Sequence, residues 1–370
     1  MKTNPKSRGK SVRSVHMSEW DVLLRELDEI PGVSGDEERV AAYMRQKLLP
    51  LSNGHWEDAL GNQIFVKHGS RPDVKLMLSA HMDEIGFIVR HIDENGFVYF
   101  HPVGYHDSRM LMNQVLTIHT EAGPRQAITG TMPAHLLTAE MARRSIPLAD
   151  IYLDLGTSSR AETMALGVQI GDMITFERKG TLLNGSKLFT GKAVDNRSSC
   201  AVLIETMKRL SGKQVQPTIY AVASVQEEVG LRGAGTAAFA IKPTVAIAID
   251  VTFAGDSPAL PATLPPMKLG GGPVIKYYDW TPDTGQGNNV PKSLTRQLVR
   301  TAESLGIPYQ HQTVLNGGTD AATISLAGAG AVTGIISLPS RYIHSATGCV
   351  HLDDLAYTVD LLTAFIEQME

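Results

Sequence analysis

The sequence predicts an α/β protein with a small β-rich domain inserted into it. From Lys192 onward, helical spacings of apolar residues alternate with short apolar runs, the texture of an α/β domain. Between about Ile85 and Phe176 that texture gives way to short strand candidates separated by Gly, Asn and Pro turns. Length agrees, since 370 residues exceed one minimal domain and suit a large unit with a smaller companion. Residues 17–84 and 179–370 read as the α/β unit and 85–178 as the insert.

The elements follow in order. Ser18–Leu27 and Asp36–Leu49 carry helical spacing, with Ser34 and the acids Asp36, Glu37 and Glu38 as a start signal for the second. Strands are expected at Gln63–Lys67 and Val74–Ala80, the latter ending directly at His81. Within the insert, Gly86–Ile92, Gly96–Pro102 and Val115–His119 read as strands, and Glu94-Asn95-Gly96 as a hairpin turn. Beyond it, Ser198–Leu210, Lys292–Leu305 and Asp353–Met369 read as helices, and Thr218–Val225, Val245–Val251 and Ala331–Ser337 as buried strands. The Pro- and Gly-rich stretch Ser257–Gly272 is expected to be a surface loop.

Composition narrows the function classes. A hydrophobic fraction of 43%, a charged fraction of 19% and a net charge of −4 give no electrostatic reason to expect nucleic acid or an anionic membrane as partner. Two cysteines, Cys200 and Cys349, form no CxxC pair and read as buried free thiols in a reducing compartment, the cytoplasm. Residues 1–16 carry five basic residues and no acid, lack the apolar core of a secretory signal, and read as a disordered tail or leader. No apolar run is long enough to span a bilayer.

Chemistry-bearing residues fall where strands end, the usual location of sites in open α/β sheets. His81-Met82-Asp83 offers an imidazole and a carboxylate that can orient it. Asp195, in Gly191-Lys192-Ala193-Val194-Asp195-Asn196-Arg197, lies where a loop becomes a helix, a place equally suited to an N-cap. Glu227-Glu228 follow a buried strand, where adjacent acids repel unless a cation joins them. A metal held by Glu228 would leave Glu227 to take a proton from water. Asp250 follows the apolar run Val245–Ile249, and His344 follows the strand candidate near residue 331, with His351 as a rival ligand. One His, Asp, Glu, Asp and His make a balanced N/O ligand set for two divalent ions. There is no H-E-x-x-H, no G-x-S-x-G and no Walker motif.

The segments Ser79–Gly86, Gly191–Arg197, Val225–Gly230, Ala248–Thr252 and Arg341–Ser345, with Leu155–Arg160 and Gly317–Ala322, resemble the tetrahedral, or glutamyl, aminopeptidase family. Some of its members carry an endoglucanase (cellulase M) label. The resemblance runs in order from about residue 20 to the C-terminus. It implies a phosphorylase/hydrolase-like catalytic domain with an inserted β-barrel. It further implies that Asp195 bridges two metals, with His81 and Asp250 completing one site and Glu228 and His344 the other. Glu227 would be the general base, and Asp83 the partner of His81. Zinc or cobalt would be the ions, with manganese compatible as well.

The resemblance also implies a cis bond at Asp195–Asn196, peptide substrates with a free N-terminus, and dimers that assemble into a tetrahedral dodecamer. His135, in Met132–Leu136, would lie in the insert, either as a turn histidine or on a loop near a neighbouring active site. One departure stands out: many relatives have Asp-Asp where this chain has Asp195-Asn196. The segment Asp283–Asn289 looks longer and more polar than the family leads one to expect, and Arg232 could favour acidic residues or form a structural salt bridge. The expected activity is therefore metal-dependent aminopeptidase hydrolysis. A related carboxypeptidase or deacylase, or a non-catalytic scaffold, are the alternatives; a glycosidase would need two metal-free carboxylates.

Overall fold

The computed structural model describes residues 17–258, 260 and 267–369. The expected N-terminal tail, and part of the Ser257–Gly272 loop, lie outside the described residues. The larger unit is built on a twelve-stranded mixed sheet. Four neighbouring strands at its centre, Pro217–Ser224, Arg71–His81, Val245–Phe253 and Val332–Arg341, run parallel in that order. Parallel strands are covered on both faces and so read as continuous apolar runs, which is why these four were legible.

Register fixes where the chemistry goes. Ser224 pairs opposite His81, and Asp250 opposite Ser337, so the segments after these strands emerge along one edge. The helix Val194–Leu210 lies against the sheet and against the closing helix Leu352–Gln368, almost wholly buried. Leu78, Ile219, Leu203, Ile249 and Phe365 meet in this core. Each such side chain contributes about 1.5–3 kcal/mol on burial.

The insert is a closed antiparallel barrel of six strands, Gly86–Ile92, Val98–Val103, Tyr152–Asp154, Gly123–Thr129, Val115–Thr120 and Met173–Phe176. Pairing of the first with the last closes it. Its core is its own: Phe87, Phe100, Leu116, Ile118, Leu153 and Ile174. The turn at Asn95-Gly96 forms as expected, with Asp93 accepting from the Asn95 and Phe97 amides and Gly96 at φ +93°. The mixed α/β class with an inserted barrel is the fold the sequence predicted.

Some expectations shift. The second helix spans Glu38–Leu48, and Ser34 does not cap it; its hydroxyl instead donates to Asp83. The polar segment Asp283–Asn289 is the turn and return strand of a hairpin, Val274–Thr281 with Gln286–Asn289. A helix at Arg232–Ile241 and a strand at Gln310–Leu315 had not been anticipated. Both cysteines are free and buried. Among the described residues no helix is long and apolar enough to cross a membrane.

Candidate metal centre

Five residues expected as ligands converge at the edge where the parallel strands end. His81 closes the strand Arg71–His81, Asp250 lies in Val245–Phe253, and Glu228 and His344 sit in the loops after two further parallel strands. Asp195 enters from the start of the helix Val194–Leu210, where it and Asn196 are non-helical and joined by a cis peptide bond.

Asp195 divides its carboxylate between two imidazoles. Its Oδ1 lies 3.3 Å from His81 Nε2, and its Oδ2 lies 3.3 Å from His344 Nε2. Asp250 Oδ1 stands 3.7 Å from His81 Nε2, and Glu228 Oε2 stands 3.2 Å from His344 Nε2. Three three-residue groups result, His81–Asp195–Asp250, Asp195–Glu228–His344 and His81–Glu227–Glu228, each with donor atoms mutually within 4.8 Å. Glu227 Oε2 stands 3.9 Å from His81 Nε2.

The outer ring nitrogens set the tautomers. His81 Nδ1 donates to the Asp83 carbonyl at 3.1 Å, and His344 Nδ1 to the Tyr105 carbonyl at 3.1 Å. Each Nε2 is then free to present a lone pair to a cation. Asp83 has a wider part than orienting His81. Its carboxylate accepts from Ser34 Oγ at 2.6 Å and from the Glu227 and Glu228 amides, both at 3.1 Å.

Electrostatics point the same way. Burial, reinforced by neighbouring acids, pushes Glu227 and Glu228 above the ordinary carboxylate range, although the histidines pull down on both. Burial would also raise Asp195, but the hydrogen bonds from His344 and His81 outweigh it and hold this carboxyl low. Burial works against charge on His81 and His344, yet the surrounding carboxylates raise both well above the usual imidazole value. So many acids around two imidazoles call for positive charge. Among the described residues Glu228 Oε1 is moreover buried without a hydrogen-bond partner. An orphaned carboxylate oxygen in such a donor set fits a divalent cation.

Other sequence candidates fall elsewhere. His351 caps the helix Leu352–Gln368, its Nδ1 accepting from the Asp353 amide at 3.2 Å, so it does not rival His344. His135 sits exposed on the turn Ala134–Leu136 of the barrel. Arg232 bonds the Gln226 side chain at 3.3 Å. Ser34 and Tyr105 had not been expected here. Tyr105 acts through its main chain, which leaves no trace in sequence.

A family model described as M42 glutamyl aminopeptidase matches residues 61–361. The chain belongs to the M42 aminopeptidase family. As a member, it is 34% identical over 357 residues to a lysyl aminopeptidase of Pyrococcus furiosus, covering 96% of this chain and 98% of that one. An aminopeptidase structure from the archaeon Desulfurococcus kamchatkensis superposes with a TM-score of 0.90 at 35% identity, covering 95% of this chain and 96% of that one. The TET1 peptidase of Pyrococcus horikoshii, which can assemble into a tetrahedron or a large octahedral shell, gives a TM-score of 0.82 at 32% identity, covering 96% of this chain and all of that one. An M42 chain is an aminopeptidase by family and a metallopeptidase by class, and the His and acid cluster is where a metal can be held.

Proposed function

We propose that this M42 chain removes N-terminal residues from peptides at a centre of two divalent cations sharing Asp195. The observation that carries the proposal is the division of the Asp195 carboxylate, one oxygen toward His81 and the other toward His344, each at 3.3 Å. In this reading His81 and Asp250 hold one cation, Glu228 and His344 hold the other, and zinc, cobalt or manganese suit the N/O set. When bound, such a pair polarises the scissile carbonyl and acidifies the attacking water. Glu227 takes a proton from that water and hands it to the leaving amine. Burial, the largest influence on its carboxyl, raises it above the ordinary carboxylate range, the direction that favours holding a proton between the two transfers.

Access is from the His344 side, whose side chain is 28% exposed against 2% for His81. A hollow of about 450 Å³ lined by Tyr105, His106, Asp107, Ser108 and Leu148 adjoins His344 through Tyr105, whose carbonyl that imidazole bonds. A free α-amine is a natural guest for a carboxylate-lined centre. A carboxypeptidase would need a cation to grip the substrate's terminus, and the two nearest Asp195 in sequence are engaged: Lys192 with Glu84, and Arg197 with main-chain carbonyls.

In the same reading residues 17–84 and 179–370 form the catalytic unit and 85–178 an assembly unit, in a cytoplasmic homo-oligomer. The connection between two barrel strands leaves Met132, Leu136, Leu137, Met141 and Ile146 exposed, a surface suited to a second copy. Light scattering on the purified protein tests assembly. Activity is tested with aminoacyl-p-nitroanilides and metal-stripped enzyme, adding back zinc, cobalt or manganese. Metal-dependent cleavage of free-amine substrates, absent when the amine is acetylated, is the expected result. No cleavage with any metal would overturn the reading.

A further inference from the structure

Behind the centre lies a buried polar cluster that touches none of the reacting groups. Lys192 Nζ reaches both oxygens of Glu84 at 2.6 Å, and the two side chains are 4% and 2% exposed. Glu84 also exchanges bonds with Gly32: its Oε1 accepts from the Gly32 amide at 3.1 Å, and its own amide donates to the Gly32 carbonyl at 2.9 Å. Arg197, 1% exposed, donates to the carbonyls of Met82 at 2.6 Å, Leu27 at 2.7 Å and Ile30 at 2.9 Å. Asp28 accepts from the amides of Ala193 at 2.8 Å and Lys192 at 3.3 Å.

The sequence positions give the cluster its meaning. Glu84 follows Asp83, and Met82 lies between His81 and Asp83. Lys192 stands three residues before Asp195, and Arg197 two after it. The segment carrying Asp195 is thus tied on both sides to the segment carrying His81. One tie is the ion pair of Lys192 with Glu84; the other is Arg197, whose guanidinium takes the Met82 carbonyl and also stands 3.6 Å from Glu84 Oε1. Burying two full charges is costly and gives a fold little net stability over an apolar pair. What such a pair can supply is a fixed geometry, because any displacement leaves charge unpaired in a low dielectric.

We infer that Glu84, Lys192 and Arg197 are positioning residues that set the spacing between His81 and Asp195, and so the affinity for the cation those two hold with Asp250. The inference rests on the two-cation reading above. Asp195 is reached by the frame directly, whereas Glu228 and His344 hang from other strands. Asp195 is shared, so both cations feel the frame, but the one held with His81 has two of its three ligands on framed segments and feels it more.

The experiment uses metal-free protein titrated with cobalt(II), read by calorimetry and by the visible absorption of the bound ion. Lys192→Met alone would strand a buried carboxylate, so the pair is replaced together, Lys192→Met with Glu84→Gln. The glutamine still offers an acceptor to the Gly32 amide. Folding is followed by far-ultraviolet circular dichroism and thermal midpoint, and Asp250→Asn marks the pattern for loss of one cation.

The double variant is expected to fold, and to bind one cobalt about 10- to 100-fold more weakly, the range typical of groups that orient metal ligands, with a smaller loss at the other. The more weakened ion should be the one that Asp250→Asn loses. Two unchanged affinities in a folded double variant would overturn the inference while leaving the two-cation reading intact. A double variant that does not fold would also overturn it, making the pair an element of stability. If the unaltered protein itself binds fewer than two cobalt ions, the two-cation reading fails and the inference falls with it.

Discussion

Asp83 holds Glu227 by its backbone: the Glu227 amide donates to Asp83 Oδ1 at 3.1 Å, while the Asp83 main-chain carbonyl takes the Nδ1 proton of His81 at 3.1 Å. One residue thereby sets the angle of an imidazole proposed to bind metal and the height of the proposed base. Burial pushes its carboxyl upward, but His81, Ser34 and the Glu227 amide hold it below the usual range, so it stays an acceptor.

Every group facing the Asp83 carboxylate is a donor, and this makes Asp83→Asn a severe change. In either orientation the amide nitrogen introduced by Asp83→Asn meets a donor from Ser34, Glu227 or Glu228. A loss of about 10- to 100-fold in kcat/KM is expected, the scale found for groups that orient metal ligands. Ser34→Ala removes one of three bonds and should cost much less. Steady-state kinetics on the two variants would decide; equal losses would show that the three bonds do not act as described.

Glu227→Gln separates proton transfer from metal holding. Glu227 lies 3.9 Å from His81 Nε2 and shares a possible ligand group with His81 and Glu228, so its part as base or ligand is open to test. Metal content, read by plasma emission, should stay at the level of the unaltered protein while kcat falls by about 10²- to 10⁴-fold, the contribution typical of a general base. Metal lost in parallel with activity would make Glu227 a ligand.

Gly191→Ala tests the close packing beside Asp195. A Cβ at this position would stand 2.2 Å from Asp28 Oδ1, the oxygen that accepts from the Ala193 amide. Either Asp28 moves and buried amides lose their acceptor, or the loop carrying Asp195 moves. A destabilisation of about 2–4 kcal/mol is expected, read as a fall in denaturation midpoint. An unchanged midpoint would mean that this contact is slack.

The barrel should carry an acid-sensitive stability. Burial pushes His106 down to about 4, helped by the His344 charge, against an ordinary imidazole value of 6.5. Between those values the unfolded chain binds a proton that the folded chain refuses, so stability falls as pH drops from 6.5 toward 4. His106→Gln removes this contribution. Relative to that variant, the unaltered protein should lose about 2 kcal/mol across the interval. Denaturant titrations of both proteins at pH 7 and pH 4.5 measure the difference; parallel curves would contradict it.

Much of the fold was legible because its strands and helices carry unambiguous periodicity. Lys292–Leu305 was bounded correctly, set between Pro291 and Gly306, which takes φ +65° as the C-cap. The helix Arg232–Ile241 was not seen, because Gly233 and Gly235 weaken its helical signal. The structure gives a reason for the first glycine: a Cβ on Gly233 would meet Asn62 Oδ1 and the Val225 carbonyl, each at 2.4 Å. Ser34 was misread because a serine before acids is a strong capping signal, and only tertiary structure brings Asp83 within its reach.

At the site, the residue types and their places after apolar strands could be read. Their convergence was legible only through the family resemblance, since His81 and His344 are 263 positions apart in the chain and meet only through the sheet's strand order. The frame of Glu84, Lys192 and Arg197 was hidden. Charged residues beside a motif read as solvated until burial is known.

The sharing of Asp195 by two cations is tested most directly by crystallography of the metal-loaded protein, with anomalous differences collected at the absorption edge of the bound metal. Two maxima about 3.5–4 Å apart are expected, one beside His81 and Asp250, the other beside Glu228 and His344, with Asp195 touching both. A single maximum, or a pair that Asp195 does not join, would contradict it.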